Sequence, residues 1–155
     1  VFSGAIQSIE GKPEEGDLVA VYAADKSFLA IGHYQIGSIA VRVLSFAEIA
    51  IAEQFWLDKV NAAYQLRVVA GLIHPDNNTF RLLHGEGDNL PGLIVDVYGD
   101  TAVMQAHSVG MHHARKVLAE AIVKSAPGVQ NVYYKSETTL PFKAGLEPEN
   151  GFLIG

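Results

Sequence analysis

The 155 residues contain no cysteine. That excludes disulfides, thiolate zinc sites, iron–sulfur clusters and a cysteine nucleophile within them. Charged side chains are sparse, at 18%, and apolar ones make up 49%, which is a globular composition. No apolar run approaches the roughly 18 residues of a membrane span. A basic surplus is also missing: 11 basic and 17 acidic residues give a net charge of −6. Residues 1–45 carry three basic and five acidic side chains, residues 46–74 two and three, and residues 75–155 six and nine. Nucleic-acid binding driven by bulk charge is therefore not expected, and any such contact must be local and shape-dependent. The start, Val1-Phe2-Ser3-Gly4, lacks the basic and apolar regions of a secretion signal, so a cytoplasmic protein is expected.

What is present suits one ordinary domain or two small ones, long enough to need no covalent staple. The apolar entry Val1-Phe2 and the strand-like finish Gly151–Gly155 lead to the expectation of a piece of a longer protein. Short strands are expected at Ala5–Ile9, Leu18–Ala23, Phe28–Tyr34 and Ser38–Leu44, as in a small β-barrel or sandwich. A helix is expected over residues 45–72. Ser45 and Glu48 fit a capping box, and Ile49, Ala52, Trp56, Val60, Ala63, Leu66 and Ala70 form its apolar stripe. Phe55 and Trp56 are expected to join this helix to one of two sheets, and Gly71 to stop it. Residues 74–78 read as a loop and a domain boundary.

Further strands are expected at Thr79–His84, Leu93–Tyr98, Thr101–His107, Asn131–Lys135 and Gly151–Ile154. A helix capped by Ser108 should run to about Ala126, with Met111, Ala114, Leu118, Ala121 and Ile122 inward. A loop is expected over residues 138–150. The fold class is α+β, divided at 1–45, 46–74 and 75–155.

Chemistry is thin. Neighbouring helical side chains point about 100° apart, so His112 and His113 cannot easily share an ion, and no metal is expected. Gly85-Glu86-Gly87-Asp88 leads into a strand and carries two acids, so it reads as a strand connection and not as a phosphate cradle. Glu86, Asp88 and Asp96 lie close enough in sequence for acid–base work, but nothing pairs them with a base. Residues 32–38 allow two readings. Turn chemistry favours a hairpin with Tyr34 packed on its sheet. The mixture of His33, Tyr34, Gln35 and Ser38, with Arg42 four residues on, also suits contacts to unpaired RNA bases.

Three stretches taken together carry a resemblance. They are Val1–Ile6 with Glu14–Val19, Gly32-His33-Tyr34 with Gly37–Arg42, and the long run Arg81–Asp100. With them the chain resembles the bacterial large-subunit rRNA cytosine-C5 methyltransferase family, over essentially its whole length. The resemblance implies a PUA-like RNA-binding domain, a linker helix, and a strand-strand-helix-strand-strand central domain, with Ser136-Glu137 following a strand. It implies that the opening PUA strand is missing and that an S-adenosylmethionine-binding Rossmann-like domain lies beyond residue 155. Cytosine-C5 transfer needs a cysteine thiolate and a glycine-rich cofactor turn. This chain is accordingly expected to be inactive alone and to bind no cofactor. The resemblance further implies rRNA as partner and a homodimer. Ser3, Gly4, His33, Tyr34, Ser38 and Arg42 are the expected RNA contacts, and Glu86, Asp88 and Asn89 the expected lining of the substrate cleft. The alternatives are a non-catalytic RNA-binding or assembly module, or a structural domain that dimerises through strand edges.

Overall fold

A computed structural model describes residues 1–141, 146 and 150–155. The expected loop over 138–150 lies partly outside the described residues.

The fold is α+β. A three-stranded antiparallel sheet runs β1 (Leu18–Tyr22), β2 (Phe28–Tyr34), β3 (Val41–Ser45). Helix α1 (Glu53–Val69) follows. A five-stranded mixed sheet then forms from β4 (Thr79–His84), β5 (Leu93–Tyr98), β6 (Thr101–Ala106), β7 (Asn131–Tyr134) and β8 (Gly151–Ile154), in that spatial order. Among the described residues only β6 and β7 pair in parallel, and α2 (Val109–His113) and α3 (Arg115–Ser125) make the crossover between them. The strand-strand-helix-strand-strand pattern is therefore present, with one further strand ahead of the helices.

Strand alternation explains the core. Leu93, Val95 and Val97 of β5 and Ala102, Met104 and Ala106 of β6 point to the same side of the sheet and are buried. There they join Leu118, Ala121 and Ile122 of α3 and Val60 and Ala63 of α1. Leu44 of β3 belongs to the same cluster. The first sheet thus shares the core of the second through α1.

Three expectations are corrected. Ala5–Ile9 is not a strand: Ser3–Ala5 form a 3-10 turn, and the mostly exposed segment after it pairs with no ladder. Ser45 does not cap α1. Its pairing with Ile31 keeps it extended as the last residue of β3, and its Oγ bonds within the next turn, to Ala47. The helix starts at Glu53 after Ala52, without a side-chain cap. Sheet pairing has overridden a local capping signal. Finally, the helix after Ser108 is broken at Ala114 into α2 and α3, where the Arg115 guanidinium donates to the His112 carbonyl at 2.8 Å.

Other signals match. Ser108 Oγ accepts from Met111 N–H. Gly71, at φ +70°, closes α1, with its N–H on Val68 O and that of Leu72 on Arg67 O. That is the Schellman arrangement, in which a left-handed residue follows the last helical turn.

Candidate nucleic-acid interface

The residues singled out from sequence separate into three places. Ser3, Gly4 and Ser38 are exposed and lie together at the loop between β2 and β3. Ser3 N–H donates to Ser38 O at 2.8 Å, and Phe2 bridges to Ile39. Phe2 itself is 69% exposed. The sequence offers no sign of this, because Val1-Phe2 reads only as an apolar entry to the chain. Tyr34, half-buried, is anchored nearby through its backbone, which bonds to Gly16 and Asp17.

His33 lies elsewhere. It is opposite Arg42 in the β2–β3 ladder, so the two share the face turned toward α1 and Leu44. Its ring is only 5% exposed and stacks on Trp56, with centroids 6.2 Å apart and planes 19° apart. Gly110 of α2 approaches so closely that a Cβ there would sit 2.2 Å from the His33 ring. His33 is therefore a packing residue between the two sheets and not a surface contact. Burial, then the neighbouring His113, lowers its pKa to about 4. Its Nδ1 has no hydrogen-bond partner among the described residues. A cavity of about 300 Å³ lies beside it, lined by Asp17, Leu18, Ile51, Trp56 and His113 among others.

Arg42 and Glu86 meet although 44 residues separate them. Arg42 Nη1 donates to Glu86 Oε1 at 2.9 Å, and Arg42 Nε to Gln35 Oε1 at 2.6 Å. One residue from the expected RNA set thus touches one from the expected cleft set, across the junction of the two sheets. Glu86 projects from a 3-10 turn, Gly85–Asp88, that links β4 to β5. Gly85 enters it at φ +54° and Asn89 leaves it, exposed, at φ +57°. Positive φ at both ends suits glycine and asparagine.

Asp88 faces inward, which corrects its grouping with Glu86 and Asn89. Its carboxylate is clamped by the Arg67 guanidinium, with Nη2–Oδ2 at 2.8 Å and a second, parallel contact from Nη1 to Oδ1. Asp88 Oδ2 also accepts the His84 N–H at 2.6 Å. Arg67 in turn donates to the Arg81 carbonyl at 3.0 Å. The pair pins the turn to α1. The available signal was Arg67 falling on the helix stripe after Val60 and Ala63, in place of the Leu66 expected there, which is exposed. Ser136 is likewise structural: fully buried, its Oγ accepts Ala106 N–H at 2.8 Å.

Among the described residues no three of His, Asp and Glu converge on a possible metal position, and no helix is long and apolar enough to cross a membrane.

The architecture is that of a PUA-like sheet joined by a helix to an α+β unit. Residues 1–46 match the family model described as a PUA-like domain. Over its whole length the chain is similar to the ribosomal RNA large subunit methyltransferase I of Aliivibrio fischeri, at 37% identity over 158 residues. It is 34% identical over 157 residues to the protein of the same name in Vibrio cholerae. In both cases it covers 100% of itself and 39% of the relative, so it spans about two fifths of the length of these curated proteins. A protein from Streptococcus mutans described as a SAM-dependent methyltransferase superposes with a TM-score of 0.70 at 16% identity, over 81% of this chain and 34% of that one. A methyltransferase structure complexed with SAH gives 0.71 at 17%, over 92% and 35%. At such identities these two establish the fold alone.

Proposed function

We propose that this chain is the RNA-recognition and central portion of an S-adenosylmethionine-dependent rRNA methyltransferase acting at cytosine C5. The observation that carries this is the similarity to rRNA large subunit methyltransferase I, which runs through both sheets and not the PUA-like part alone. The unit of residues 1–45 docks RNA, 46–74 fixes it, and 75–155 shapes the cleft. The cofactor and the cysteine chemistry belong to residues outside these 155. The described residues do not fit S-adenosylmethionine: the glycine-rich turn runs from strand to strand, so it presents no helix N-terminus. With no cysteine, the chain has no thiolate to attack a base.

On this reading RNA meets the exposed end formed by Phe2, Ser3, Gly4 and Ser38, with Tyr34 beside it, and Arg42 supplies a phosphate contact. Phe2 adds an exposed ring of the kind on which unpaired bases stack. The setting is cytoplasmic, and a homodimer belongs to the same proposal.

Filter binding of deproteinised host large-subunit rRNA tests the reading. Arg42→Ala should weaken binding and lower the salt slope by about one. Tyr34→Ala should weaken it with little change in slope. Unchanged affinity in both variants at physiological salt refutes the assignment. The mass of the protein as its host makes it tests the larger claim: a value more than twice 16.7 kDa supports a methyltransferase parent. A value near 16.7 kDa favours the stand-alone RNA-binding module.

A further inference from the structure

We propose that Glu86 holds the place of an RNA phosphate on Arg42, so that RNA enters the junction by exchanging a resident carboxylate for its own backbone. The inference rests on the RNA-binding reading above and assigns Glu86 a role in setting affinity.

The geometry divides the pair into a fixed half and a releasable half. The Arg42 side chain is 24% exposed, and Gln35 holds its Nε. The Glu86 side chain is 71% exposed, on the solvent side. Its backbone cannot follow it outward. Asp88, two residues on, is locked to Arg67 and to the His84 N–H, and Glu86 O accepts from Asn89 N–H. Rotation about the Glu86 side-chain bonds is therefore enough to free Arg42 without moving the turn.

The chemistry favours exchange. A guanidinium carries five N–H donors in a fork that fits phosphate as well as carboxylate. Among the described residues only Nε and Nη1 of Arg42 have side-chain acceptors, which leaves donors for an incoming anion. An exposed ion pair is weak and screened by salt, so it can be displaced. Once displaced, Glu86 remains close to the phosphate and repels it. Its charge should therefore set a penalty on binding that acts through Arg42.

Glu86→Gln keeps the size of the side chain and removes the charge. With host large-subunit rRNA as probe and the full chain as binder, it should tighten binding about two- to fivefold at low salt, the scale of one exposed pair. The gain should shrink as salt rises. Glu120→Gln, the same charge change on α3, should leave affinity unaltered. In Arg42→Ala the Glu86→Gln gain should vanish, because the two side chains act as one unit. If Glu86→Gln binds no better than wild type while Arg42→Ala weakens binding, the exchange is overturned and the RNA reading stands. If Glu86→Gln tightens binding equally with and without Arg42, general repulsion replaces exchange. If the unaltered chain fails to bind rRNA, the underlying reading falls and the exchange with it.

Discussion

Lowering the pH should loosen the contact between the two sheets at His33. The imidazole is held down to about 4 by burial, with His113 adding to it, against about 6.5 for a free histidine. A group depressed in this way binds fewer protons folded than unfolded. Its contribution is therefore intact above pH 6.5 and is lost as pH falls from there toward 4. Between pH 8 and pH 5 the integrated loss is about 2 kcal/mol for this one ring. For a chain of this length that corresponds to a fall of about 4–8 °C in Tm. His112 is also lowered to about 4, by burial first and then by Arg115 and His113, but it is less enclosed and adds a smaller share. His33→Phe keeps a flat ring against Trp56, removes the titration and removes the unpartnered Nδ1. Thermal denaturation followed by circular dichroism at pH 8 and pH 5 should show the variant losing less than half as much Tm as the wild type. Equal losses in the two proteins would refute the reasoning, because the pH dependence would then arise elsewhere.

Two further substitutions probe the same framework. Asp88→Ala leaves the Arg67 charge buried and unpaired and should cost about 3–5 kcal/mol in urea unfolding; a change under about 1 kcal/mol would show the pair to be dispensable. Gly110→Ala drives a methyl into the His33 ring and should cost about 1–3 kcal/mol. Replacing His33 by Ala in that background should recover part of the loss, and no recovery would place the strain elsewhere.

Much of this fold could be read along the chain, and the reasons are local. Alternation in Leu93–Tyr98 and Thr101–Ala106 reports a sheet with one buried face, and Gly71 marks a helix end that needs positive φ. The misreadings involve residues whose partners lie far away in sequence. Ser45 offers a good cap, but the ladder to β2 claims its backbone first. His33 looks like a loop-proximal polar residue until Trp56 and Gly110 close over it. Asp88 looks like a turn acid facing water, and only its distance to Arg67, 21 positions earlier, shows otherwise. The site shows the same limit: Arg42 and Glu86 were each singled out, but no spacing rule joins residues 44 apart.

Leu44 sits in the common hydrophobic cluster with α1 and the second sheet. The recognisable PUA-like sequence ends at residue 46, yet the three strands it contains do not own a complete interior. Cutting the chain at that border would strip Leu44 and His33 of cover and leave a sheet prone to clump. The border of the family match and the border of the hydrophobic core therefore fall at different places in this protein. A module exchanged between relatives by recombination would have to carry α1 along with it to arrive folded.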